Sequence, residues 1–81
     1  MFPWFSFQCG PISAHVYEQE TGWKVIVQLF GSEISSRGTI PDLAAAQTTA
    51  ISYARELCRE HALSYPNYLN APRWIRQRSA A

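Results

Sequence analysis

The stretch from Pro41 to Leu63 constrains the fold most. Pro41 closes off any strand before it, Asp42 is a residue type that accepts backbone N–H bonds at a helix start, and Leu43-Ala44-Ala45-Ala46 follows with strong helix formers. Leu43, Ala46, Ala50, Ala54, Leu57 and His61 recur at spacings of three and four, and Ile51, Tyr53 and Cys58 widen that stripe. Gln47, Thr48, Ser52, Arg55, Glu56, Arg59 and Glu60 occupy the opposite side. The spacing predicts one long helix with a single apolar face. Its alanines predict a close approach to whatever that face covers, and 81 residues leave room for only one hydrophobic core.

The residues before the helix supply a sheet. Ile12, Ala14 and Val16 alternate with Ser13, His15 and Tyr17, the period-two pattern of a half-buried strand. After a turn at Glu20-Thr21-Gly22, Trp23, Val25, Val27 and Leu29 mark a core face, and Lys24, Ile26, Gln28 and Phe30 mark the other. Gly31-Ser32 reads as a hairpin turn, and Glu33 to Thr39 as a weaker third strand anchored by Ile34. The expected fold is therefore α+β: a three-stranded antiparallel meander with one long helix packed on one face. A single domain is expected, with a sheet-and-helix core at residues 12–63, an aromatic segment at 1–11 and an irregular basic segment at 64–81. Pro66 and Pro72 argue against a regular central strand in that last segment, leaving a short extended piece, a helical turn or a tail that orders on binding.

A hydrophobic content of 47 % with 16 % charged residues is too apolar for a disordered chain. The net charge of +1 excludes a chain-wide attraction to nucleic acid or membrane, yet it hides a segregation. Residues 1–63 sum to −2, whereas residues 64–81 carry Arg73, Arg76 and Arg78 without an acid and sum to +3. Four of the eleven aromatic residues, Phe2, Trp4, Phe5 and Phe7, fall in the first seven positions. The opening run is short and has no basic residue ahead of it, unlike a signal peptide, and no stretch approaches the roughly 20 apolar residues that span a bilayer. A soluble, cytoplasmic protein is expected, with no membrane partner and with Cys9 and Cys58 as free thiols.

Candidate chemistry is sparse. Cys9, His15, Cys58 and His61 form the one set of zinc-like donors, with Cys58 and His61 three apart on the helix. Five residues separate Cys9 from His15, and Cys58 lies in the apolar stripe where a reduced cysteine is an ordinary core residue. No metal or other cofactor is expected. A Cys58–His61 nucleophile lacks an orienting acid, the glycines are scattered singly, and no carboxylates pair in a catalytic pattern, so the chain is not expected to be an enzyme.

Binding is better supported. Tyr17, Lys24, Phe30 and Arg37, with His15, Ile26, Gln28 and Ser35, should share the sheet face away from the helix, where aromatics and cations can stack bases and hold phosphates. The competing explanation is that this face is covered by the N-terminal aromatics, by a second copy of the chain or by a protein target. A second candidate surface combines Trp4 and Phe5 with Arg73, Trp74, Arg76 and Arg78, a composition favoured at protein hot spots and phosphate contacts alike.

The stretches Gly22-Trp23-Lys24-Val25-Ile26-Val27, Gly38-Thr39-Ile40-Pro41-Asp42-Leu43-Ala44-Ala45-Ala46-Gln47 and Tyr53-Ala54-Arg55-Glu56-Leu57 give residues 12–63 a strand, strand, helix layout. This layout resembles that of small phage and mobile-element proteins, including some anti-CRISPR proteins. The resemblance implies a compact non-enzymatic protein that occupies a surface of a larger, often nucleic-acid-handling, partner; it assigns no functional residues. Protein binding of this kind, as an inhibitor or accessory factor, is the leading expectation. Direct nucleic-acid binding, through the open sheet face assisted by the basic Arg73 to Arg78 segment, is the alternative, and a homodimer is compatible with either.

Overall fold

The computed structural model describes residues 4–64 and 72–77, apart from the side chains of Cys9 and Gln77. These residues form one antiparallel sheet and one helix, in the order β1 (Trp4–Cys9), β2 (Ile12–Gln19), β3 (Gly22–Leu29), β4 (Ser32–Ser35), α1 (Leu43–Glu60) and β5 (Ile75–Gln77). The fold is α+β, as expected, but its sheet has five strands and not three, ordered β4-β3-β2-β1-β5.

Both additional strands come from the ends of the described chain. Trp4–Cys9, part of the expected aromatic segment at 1–11 and one candidate cover for the sheet, is itself a strand, paired with β2 from Trp4↔Tyr17 to Cys9↔Ile12. Residues 75–77, expected to be irregular, pair with β1 through Ser6↔Ile75, Phe5↔Arg76 and Trp4↔Gln77. Both strands follow from the backbone's need to satisfy its N–H and C=O groups along the exposed edge of β2 and then of β1.

The core follows the period-two pattern. Ile12, Ala14 and Val16 of β2, and Val25, Val27 and Leu29 of β3, are buried beneath Ala46, Ala50, Ala54, Leu57 and Cys58 of the helix. Three alanines in that stripe let α1 lie close on the sheet, mainly over β3 with β2 and β4 alongside. Phe7 joins the core from β1, and the Trp74 ring meets it edge-on at 4.8 Å. At its start the helix is capped by Asp42 Oδ1, which accepts a 2.8 Å bond from the Ala45 amide. At its end Ala62 adopts a left-handed φ of 54°, and Leu63 N and Ala62 N donate to Cys58 O and Arg59 O in a Schellman arrangement.

Two turns differ from expectation. The β3–β4 hairpin turns on Phe30-Gly31, with Leu29 paired to Ser32, whereas the sequence pointed to Gly31-Ser32. Positive φ at both residues, 49° and 83°, makes this the turn whose twist matches a two-residue hairpin. The third strand also stops early, at Ser35. Ser36 N then donates to Val25 O while its buried Oγ accepts from Val25 N, so the side chain completes the pairing as the backbone turns away.

Candidate binding surfaces

The pairing registers sort the side chains of the open face into three rows across the strands. Trp4, Tyr17 and Lys24 make the upper row. Ile75, Ser6, His15, Ile26 and Ser35 make the middle row, and Gln8, Ser13, Gln28 and Glu33 the lower. Trp4 and Tyr17 lie 6.0 Å apart between ring centroids, and His15 stacks on Tyr17 at the same distance. In the lower row, Gln28 Nε2 donates to Glu33 Oε1 at 2.9 Å.

Two members of the expected nucleic-acid surface are elsewhere. Phe30 leaves the sheet at the hairpin turn, where it is 65 % exposed and packs edge-on against His61 at the end of α1. Arg37 lies beyond β4, exposed in the bend that leads to the helix. Tyr17 and Lys24 remain, so Lys24 is the one cation among the described outward-facing strand side chains, and Glu33 is the one carboxylate. The face is close to neutral, with Trp4, Tyr17, Ile26 and Ile75 as its apolar content.

Of the zinc-like set, the Cys9 side chain falls outside the described ones, and the other three do not converge. His15 is on the open face, whereas Cys58 is buried under the helix, and His61 turns to Ser32, with Nε2 and Oγ hydrogen-bonded at 3.0 Å. Among the described residues no three His, Cys, Asp or Glu side chains converge as a metal site. Burial raises the Cys58 thiol above its ordinary pKa, which disfavours the thiolate that nucleophilic or metal chemistry requires. A hollow beside the β2–β3 turn carries Glu18 and Glu20 with Trp23 and Pro41, but it is open to water.

His15 itself is half-buried with Nδ1 enclosed and unpartnered. Burial pushes its pKa below the ordinary value of 6.5, so folding disfavours the imidazolium. In the window between 6.5 and the lower folded value, the unfolded chain holds more protons. Stability therefore falls as pH drops through that window and levels off beneath it. The expected result is a lower urea midpoint near pH 5 than near pH 7, with the difference reduced in His15→Gln. An undiminished pH effect in the variant would assign it to other groups.

The aromatic and basic ends of the sequence, Trp4 with Phe5 and Arg73 with Arg76, meet at one side of the sheet. On β1, Trp4 faces the open side and Phe5 the helix side, where its ring lies 6.0 Å from Trp23. On β5, Arg76 stands opposite Phe5, Ile75 opposite Ser6, and Trp74 covers Phe7. Arg73, Ile75 and Arg76 are exposed, whereas Arg78 falls outside the described residues. The signal for β1 was present in the alternation of Phe5 and Phe7 with Ser6 and Gln8, although clustering of the aromatics suggested a covering segment.

Comparison with protein-family models, with curated proteins and with solved structures returned no significant match. Among the described residues, no helix is long and apolar enough to cross a membrane.

Proposed function

We propose that this chain is a non-enzymatic binding protein that uses its β1–β5 side to occupy a surface of a larger protein. One observation carries this reading: the antiparallel pairing of β1 with β5 merges two separately suspect segments into a single surface. That surface offers exposed Arg73 and Arg76 beside half-buried Phe5 and Trp74, with the outer edge of a three-residue strand among them and Trp4 on the other face of β1. Arginine and tryptophan together suit an acidic protein patch with an apolar centre. The proposed role is that of an inhibitor or accessory factor of the kind encoded by phages and mobile elements, acting in the cytoplasm.

The near-neutral open face offers little to a phosphate backbone, so a nucleic acid would have to be held mainly by Arg73 and Arg76. Phosphate binding draws its affinity from several cations acting together, and Lys24 is alone on that face among the described strand residues. The test is affinity capture from nuclease-treated host extract, followed by titration of the captured protein against wild type and Arg73→Glu/Arg76→Glu. Both substitutions are on exposed side chains, so a folded variant is expected, with affinity lower by about tenfold or more. Unchanged affinity would remove the β1–β5 side from the interface. A shift of labelled DNA or RNA that weakens steeply with salt would move the assignment to nucleic acid.

A further inference from the structure

We propose that the open face of the sheet is a homodimer interface, seated against the same face of a second copy of this chain. The helix and the core lie entirely on the other side of the sheet. The N-terminal strand, one candidate cover for the open face, instead widens it. On this face Trp4, Tyr17 and Ile26 are half-buried and Ile75 is 55 % exposed. Strands spaced about 4.8 Å apart and rising about 3.3 Å per residue give a face roughly 20 Å on a side. Packed sheets of this size align their strands within about 30° at a separation near 10 Å.

The three rows make this face complementary to itself. A two-fold axis running across the strands along the middle row, Ile75-Ser6-His15-Ile26-Ser35, exchanges the upper row of one copy with the lower row of the other. Bulky Trp4 and Tyr17 then oppose the smaller Gln8 and Ser13. Lys24 opposes Gln28, and Glu33 is one strand away, its carboxylate already held by the Gln28 amide. The single cation on the described face therefore meets the single carboxylate of the other copy, twice over, while His15 lies at the centre of the axis with Ile26 beside it and Ile75 at the β5 end. Rotation about this axis leaves both β5 edges on the same side of the dimer, free of the interface.

The mass in solution, set against 9.2 kDa for one chain, tests the arrangement by sedimentation equilibrium across a concentration series. Wild type is expected at twice the chain mass. Lys24→Glu and Glu33→Lys each place like charges at both contacts, and each should shift the equilibrium to a folded monomer, with folding confirmed by circular dichroism. In a mixed dimer of the two variants, both contacts again join a lysine to a glutamate, so mixing should restore the doubled mass. Wild type at the mass of one chain at every concentration would overturn the proposal. So would single variants as dimeric as wild type, or a mixture that stays monomeric.

Discussion

Gly22→Ala is expected to lower the unfolding free energy by about 3 kcal/mol, because two costs act at one atom. Gly22 opens β3 with φ at 147°, a region that side chains rarely enter. A Cβ built there would lie 2.5 Å from the Ile40 carbonyl oxygen and 3.1 Å from its carbon, both backbone atoms that cannot rotate away. Relief requires moving Ile40, whose N–H and C=O each form a 2.8 Å bond with Trp23. Two residues later Asp42 caps the helix, so the strain reaches the placement of α1 on the sheet. Gly10→Ala is the control. Its Cβ meets nothing within 4 Å, and its left-handed φ of 57° alone should cost about 1 kcal/mol. Urea unfolding of both variants checks the pair, and equal losses would show that close approach to Ile40 is not the cause.

Leu57→Ala should have an effect of similar size. Leu57 is 1 % exposed and lies in the stripe that α1 presses onto β3 and β2. Truncation removes buried methyl groups from the packed core and leaves a cavity, a change that costs about 3 kcal/mol. Small domains have total stabilities of only about 0.05 to 0.15 kcal/mol per residue, so this would remove a large share of the total. The variant's thermal midpoint should fall by more than about 10 °C on the order-of-magnitude scaling for small domains. A fall of only a few degrees would mean that α1 shifts inward to close the cavity.

These effects fall on features of different legibility. Leu57 is placed in the core by its three-and-four spacing with Ala50 and Ala54, a local pattern that survives without any knowledge of the sheet. Gly22 is legible only as a turn glycine. Its more demanding role arises because Ile40, eighteen residues later, returns to bridge Trp23.

The candidate surfaces divide the same way. Alternation alone places Tyr17 and Lys24 on the open face, and they are there. Phe30 continues that alternation but is carried off by the hairpin, because a two-residue turn with positive φ at both positions takes Phe30-Gly31 rather than Gly31-Ser32. Arg37 is lost to the face because Ser36 turns its hydroxyl into the ladder and ends the pairing.

The α+β class, the helix with its Asp42 cap and the inward faces of β2 and β3 can all be read from local residue spacing. Each is written in spacings of two, three or four residues, over which local backbone geometry and burial act together. The outer half of the sheet depends instead on contacts between segments far apart in the chain. A strand as short as Ile75–Gln77 has too few residues to carry a period, and it exists because β1, near the other end of the chain, presents backbone groups that need partners. Hydrogen bonding between distant segments leaves little mark on local composition, and here it brings the aromatic and the basic ends of the chain to one edge.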